Sequence, residues 1–526
     1  MLCCLALCAQ AKTPVLDPDD PALSCTSIMV GKKASTDGSV MTSHTCDGNY
    51  RTWMDIVPAM SHPRDTTVAV VVGRMHTDHS TGARGMTVKG EIPSPGTTYA
   101  FLNTAYPCLN EHQLAMGETT ITGRRELRNP KGLFNIEELQ RVAMQRCTTA
   151  RQAIKLMGRL AEEYGYGDSG ECLTIADPKE VWHFEIFGAG ADTVGAIWAA
   201  VRIPDDHVGV SANIPRISTL NLADTANCLA SSNVESAARR LGLYDGKEPF
   251  KFWKAYSGAN YFGEPKAFSV REYFILNSLA PSLNLRFDAE ELPISVKPDS
   301  KVSARMVSEL LTSTYEGTDN DMTRNLKIAV KDRATGAVDT VVSPVANPWR
   351  SRDYVTLFNS IADSTVVNVR NVAVPQCAYS TVIQVRDWLP DAVGGVAWVS
   401  LDNPGQSPRI PVFAGTQTLP DAFMVDGQLR FDENAAVWPF RRANKLATVK
   451  YGATRAEMEA ARNHFTDKGF DELPYVESRY KAILESDGAE AANAFLTGYT
   501  ADFAGAATAK WTELGNRFWT RFARGF

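Results

Sequence analysis

The chain lacks an excess of positive charge. Its 54 lysines and arginines are interspersed with 60 aspartates and glutamates, for a formal charge of −6. No basic stripe is left that could neutralise a run of phosphates, so nucleic acid is not an expected partner. Long apolar runs are missing too: beyond the first dozen residues nothing approaches the roughly 18 to 20 residues that cross a bilayer as a helix. No transmembrane span is expected. No two cysteines have the C-x-x-C spacing of a zinc knuckle or redox pair. His76 and His79 form H-x-x-H, but only Asp78 lies nearby as a further ligand, and the surrounding Thr77, Ser80 and Thr81 read as a polar loop. No metal is expected. The G-x-S-x-G elbow, the papain-like cysteine motif and the Gly-x4-Gly-Lys phosphate loop are all absent. Conventional serine and cysteine protease architectures lose their main support, and no cofactor is called for.

What is present is ordinary globular composition: 526 residues, 44% hydrophobic and 22% charged, enough for one large domain plus an appendage. Residues 1–11 carry a short apolar stretch (Leu2, Leu5, Ala6, Leu7) ending in Ala9-Gln10-Ala11, an A-x-A cleavage signal. This reads as a signal peptide, and its missing basic start leads us to expect a true beginning upstream of Met1. The competing reading, a lipid-attachment Cys8, is disfavoured by the bulky Leu7 before it. The expected location is exported, periplasmic or extracellular.

Residues 12–24 contain three prolines and three aspartates in thirteen positions, too many to hold a helix or strand. This stretch reads as a disposable pro-segment ending at Ser24. Seven cysteines lie beyond the leader; apart from Cys25 they read as buried small apolar residues rather than disulfides. At Cys25 ordered texture begins, with two strand-like runs around Thr36-Asp37-Gly38. Helical spacing follows over Asn135 to Tyr164, with Asn135 and Glu138 placed as a capping box. Cys172 to Phe187 reads as a hairpin turning at Asp177-Pro178. Val68 to Val72 and the pair Val208 and Val210 suggest buried strands. From about Ala435 the texture is helical, with Thr454 and Glu457 placed as a second capping box. Strands, then helices, then strands indicate an α+β layered domain.

A nucleophile at the first residue of a chain needs no separate histidine. The free α-amine, with an ordinary pKa of about 7.7 to 8.0, can accept the thiol proton near neutral pH. A cysteine thiol is already a good nucleophile at that pH. Such chemistry demands a precursor, because a peptide bond before Cys25 would occupy the base. A disordered segment ending in the small Ser24 meets that demand.

The residues at this point resemble a known family, the N-terminal-nucleophile cysteine dipeptidases of the dipeptidase A and secernin group, related to bile salt hydrolases and penicillin V acylases. The resemblance is carried by CTSIMVGKKASTDGSVMTSHTCD (25–47), LNEHQLAMGETT (109–120), ECLTIADPKEVWHFEIFG (171–188), SANIPRI (211–217), YEGTDND (315–321) and STVIQVRDWLPDAVGGVAWVS (380–400). It implies Cys25 as nucleophile, Asp47 as the carboxylate that holds its amine or thiol, and Asn213 as an oxyanion donor. His44 stands where relatives commonly carry an arginine. Glu118 with Thr120 fits the dipeptidase branch and would receive a substrate ammonium. Arg271 matches a second arginine of the superfamily.

The reading is thus a four-layer αββα sandwich over residues 25–430 with a helical extension over 431–526. The expected activity is hydrolysis of dipeptides through a thioester on Cys25, with small peptides as substrates and homo-oligomerisation left open. The alternatives are an acylase of N-acyl amino acids or, from another class, an exported binding module without catalysis.

Overall fold

The computed structural model describes residues 25–48, 50–63, 65–73, 86–258, 267–428 and 430–525. The leader, the pro-segment with Ser24, and the His76/His79 motif lie outside the described residues.

Two antiparallel sheets form the centre. The first runs Ser295–Val296, Val208–Ser211, Ser27–Val30, Val40–Asp47, Cys377–Val385, Val396–Leu401 and Ile410–Phe413 in spatial order. The second runs Cys228–Ala230, Ala196–Ile203, Val181–Gly188, Glu171–Ala176, Ala115–Thr120, Leu109–Asn110, Phe101–Asn103 and Asp55–Val57. Most of these strands are buried along their whole length, polar residues such as Thr42, Ser43, Thr119 and Glu185 included.

Helices close both outer faces. Ile136–Arg146 and Ala150–Tyr164 pack Leu139, Ile154, Met157 and Leu160 onto Phe184 and Trp198 of the second sheet. Val270–Leu279, Ala304–Leu310 and the C-terminal helices cover the first sheet with Ile275, Leu276, Val307, Val476 and Leu496 against Val210, Val382 and Trp398. The architecture is α+β, with two sheets faced by helices in four layers, as expected.

Where the sheets face each other the contact is partly polar. Thr174 Oγ1 lies 2.6 Å from both Ser27 Oγ and Thr42 Oγ1, and Thr119 Oγ1 lies 2.6 Å from Ser211 Oγ. The approach is close enough that a Cβ on Gly117 would sit 2.7 Å from Thr174 Oγ1 and 2.8 Å from Ser27 Oγ, in addition to striking the Ser43 carbonyl.

Local expectations fare unevenly. Asn135 caps its helix by accepting from the Glu138 N–H, but the Glu138 side chain turns to Arg141 instead of completing a box. Asp177 makes the expected turn, accepting from Lys179 N and Glu180 N. Thr67–Gly73 is a strand, yet among the described residues it pairs only with Met86–Pro93 and, of Val68 to Val72, only Val70 is buried. Thr454 is not an N-cap: the helix already starts at Tyr451, and Thr454 Oγ1 donates back to Ala447 O at 2.7 Å. Residues Val437–Val449 and Tyr451–Arg521 are helical, and Gly488 at φ 85° folds the second stretch into a hairpin packed on the first sheet. The run Gly165 to Gly170 has G-x-G-x-x-G spacing but joins a helix end to a strand, the reverse of the strand-to-helix order a phosphate cradle needs. None of the seven cysteines from Cys25 onward is in a disulfide, and all are buried. Among the described residues no helix is long and apolar enough to cross a membrane.

Candidate active site

Cys25 lies two residues before the strand Ser27–Val30, an inner strand of the first sheet, and is fully buried. Its backbone is held in an unfavourable left-handed region, φ 24°. Thr45, on the neighbouring strand, accepts from Thr26 N at 2.8 Å, and Arg271 Nη1 donates to the Cys25 carbonyl at 2.5 Å. The nucleophile candidate is thereby clamped from both sides of its chain.

The second sheet brings Glu118 to it. Strand alternation puts Glu118 and Thr120 on one face, and antiparallel register sets Glu171 opposite Thr120. Cys25 Sγ lies 3.4 Å from Glu118 Oε2, His44 Nε2 lies 3.4 Å from the same oxygen, and Thr120 Oγ1 donates to Glu118 Oε1 at 3.1 Å. All four side chains are buried.

The charges are ordered by their surroundings. Burial works to raise the Glu118 carboxyl, but the facing His44 imidazole and the Glu171 carboxyl outweigh it and hold Glu118 below its ordinary value. Burial and the neighbouring Glu118 charge push Glu171 well above the carboxylate range. Two adjacent carboxyls therefore split into one ionised and one protonated group, the usual outcome where like charges cannot both be buried. The pair leaves a negative oxygen directly beside the thiol.

Asn213 comes from the turn after Val208–Ser211, with φ 65°. Its Nδ2 donates to Thr120 O at 2.7 Å, and its Oδ1 accepts from Arg271 Nη2 at 2.8 Å. Arg271 sits in the first turn of the helix Val270–Leu279, whose Ser269–Glu272 capping box is complete, and it also donates to Thr26 Oγ1 and Ala212 O. Burial and the nearby Arg370 pull its guanidinium down to about 10, which leaves it charged at neutral pH. Glu272 accepts from Ala212 N at 2.9 Å, so consecutive residues of one helix hold the turn on which Asn213 rides.

Of the seven side chains singled out from sequence, the structure gathers Cys25, His44, Glu118, Thr120, Asn213 and Arg271 into one connected group. Asp47 stands one step away. It accepts from Thr45 Oγ1 at 2.6 Å and from Arg370 Nη2 at 2.5 Å, so it reaches Cys25 through Thr45 and the Thr26 backbone. Sequence reasoning missed Glu171, Thr45, Glu272 and Arg370. Glu171 opens a quoted motif and could have been found by pairing the two strands; the partner of Asp47 lies 323 positions away and left no local trace.

Comparison with known proteins places this geometry among relatives. A "Probable dipeptidase" of Latilactobacillus sakei is 24% identical over 82% of this chain and 82% of its own length. A "Probable dipeptidase" of Salmonella dublin is 26% identical over 75% of this chain and 81% of its own. "Dipeptidase A" of Lactobacillus helveticus is 21% identical over 81% and 82% respectively. The family model Peptidase family C69 matches residues 24–464, most of the chain and all of the site just described. The protein is a member of peptidase family C69.

Proposed function

We propose that this protein is a dipeptidase whose nucleophile is Cys25, exposed as a new N-terminus by cleavage after Ser24. The observation that carries the reading is the cluster itself: a buried thiol 3.4 Å from the Glu118 carboxylate, with one arginine that holds both the Cys25 carbonyl and the Asn213 amide oxygen. The family match, which starts at residue 24, and the names of the relatives support it.

In the reaction, the Cys25 thiol passes its proton to its own α-amine and attacks the peptide carbonyl. The oxyanion of the tetrahedral intermediate is stabilised by Asn213 Nδ2 and backbone N–H groups. The protonated amine gives its proton to the leaving amino group, the C–N bond breaks and a thioester remains. Water, deprotonated by the same amine, then releases the acid and regenerates the thiol. Glu118, kept ionised and hydrogen-bonded to Thr120, binds the substrate ammonium, which restricts the enzyme to peptides with a free amino end. Asp47 is a positioning residue that orients Thr45 and so fixes the backbone at Cys25. The A-x-A signal before residue 12 supports export, with residues 12–24 as the pro-segment.

The test is N-terminal sequencing of the mature protein alongside turnover of a dipeptide panel. The reading expects a chain beginning at Cys25 that hydrolyses free dipeptides, and a Cys25→Ala variant that folds and hydrolyses none. An active form still joined to Ser24 would sink it, and preference for N-acyl amino acids would move it to the acylases.

A further inference from the structure

Three donors of different chemistry converge at one point in the site: a thiol, an imidazole and a carboxylate. Cys25 Sγ and His44 Nε2 each lie 3.4 Å from Glu118 Oε2, and the three donor atoms all fall within 4.8 Å of one another. A tetrahedral zinc ion, with bonds of about 2.3 Å to sulfur and about 2.0 to 2.1 Å to nitrogen and oxygen, holds its ligands roughly 3.3 to 3.6 Å apart. The two measured separations match that spacing without movement of the backbone.

The imidazole is unusually available for a buried group. Neither ring nitrogen of His44 has a well-formed hydrogen bond, although its side chain is only 1% exposed. Tyr106 and Tyr379 pack edge-on against the ring at 5.5 and 5.6 Å, and the Tyr379 hydroxyl is itself pinned by the Tyr106 N–H at 3.2 Å. The ring is thus held between two tyrosines with Nε2 3.4 Å from Glu118 Oε2.

We propose that Cys25, His44 and Glu118 form a binding site for zinc, and that zinc bound there reversibly switches the enzyme off. The inhibitory part rests on the proposed function; the binding part does not. Sulfur and imidazole ligands select zinc-class ions over magnesium or calcium. Binding breaks the S–H bond and forms Zn–S, releasing one proton to solvent. The thiolate and the Glu118 carboxylate then neutralise the charge of the ion, so that no net charge is buried. In the cleaved form the α-amine of Cys25 supplies a fourth donor and closes a five-membered N,S chelate. Four protein ligands leave no open position for a reactive water, which is the mark of a non-catalytic site. The ion would occupy the nucleophile, the base and the ammonium acceptor together.

The experiment uses the mature protein stripped with EDTA and titrated with Co²⁺, whose thiolate charge-transfer absorption reports a Co–S bond. One equivalent should produce that absorption, and Zn²⁺ should abolish it by displacement. Cys25→Ser should remove the band, and His44→Gln should weaken Co²⁺ affinity by at least ~10-fold, both with unchanged circular dichroism. Zn²⁺ should also slow alkylation of Cys25 by iodoacetamide, and EDTA should restore it. Cys172 beside His183 is a second thiol–imidazole pair, 3.5 Å apart. A band that survives Cys25→Ser and disappears in Cys172→Ser would overturn the assignment, as would a folded wild type with no band. Saturating Zn²⁺ that leaves dipeptide turnover unchanged would overturn the inhibition. Metal binding at Cys25 in a protein that hydrolyses no dipeptide would uphold the site and refute the proposed function instead.

Discussion

Arg271 donates to the side-chain oxygen of Asn213 at 2.8 Å, and that bond decides which end of the amide is which. With the oxygen committed to the guanidinium, the nitrogen faces the Thr120 carbonyl, to which it donates. A donor for a developing oxyanion is useful only if it is turned the right way before the charge appears.

Arg271→Lys is expected to lower kcat by about 100-fold, since one ammonium cannot replace a planar fork that serves Cys25 O, Thr26 Oγ1, Ala212 O and Asn213 at once. Steady-state kinetics should show kcat falling far more than KM rises. A change confined to KM would remove Arg271 from the control of the oxyanion donor.

Glu118→Gln keeps the shape of the side chain and removes its charge. Loss of one partner from a buried charge pair costs about 2 to 5 kcal/mol, so kcat/KM for a free dipeptide is expected to drop by roughly 100-fold. The N-acetylated analogue, which has no ammonium to bind, should be affected far less. Equal losses on both substrates would mean that Glu118 serves the thiol rather than the substrate.

His183 supplies a pH dependence of stability with a definite sign. It is fully buried, 2.8 Å from Glu185, and although burial lowers its pKa, the neighbouring Cys172 sulfur and Glu185 raise it to about 10. A histidine raised above its ordinary value contributes stability that is complete below about 6.5 and is lost as pH climbs through about 10. Urea midpoints of the wild type should therefore fall between pH 7 and pH 10, and His183→Gln should flatten that slope while being less stable at pH 7. Glu185 also accepts from Arg216 N and Ile217 N, so the variant is expected to loosen the turn carrying Asn213.

Gly117→Ala tests the contact between the sheets. Its Cβ would fall against the Ser43 carbonyl and the Thr174 and Ser27 hydroxyls, which bond each other between the sheets. Overpacking of this kind costs about 1 to 3 kcal/mol. Denaturant unfolding should show a loss in that range, together with reduced turnover because Glu118 is the next residue on the strand. An unaffected midpoint would show that the sheets can part cheaply.

Much of the fold was readable from residue order. The hairpin at Asp177 and the helix capped by Asn135 are signalled by residues within a few positions of each other, because turns and caps are short-range hydrogen bonds. The failures came where a distant partner intervened. Thr454 has the local pattern of a cap but lies inside a helix that already starts at Tyr451, packed back on Val437–Val449. Val68 to Val72 has the composition of a buried strand but, among the described residues, pairs with a single neighbour and buries only Val70.

The same division holds at the site. Which chemical groups are present, a cysteine after a proline-rich stretch, an asparagine before proline, a glutamate two residues from a threonine, belongs to the linear order of the chain. What those groups become depends on contacts between the two sheets. Only the tertiary structure sets Glu118 beside Cys25, splits the charges of Glu118 and Glu171, turns Asn213 with Arg271 and ties Asp47 to Arg370. The physical reason is that pKa values and hydrogen-bond directions are set by neighbours within a few ångströms, and here those neighbours come from segments tens to hundreds of residues apart.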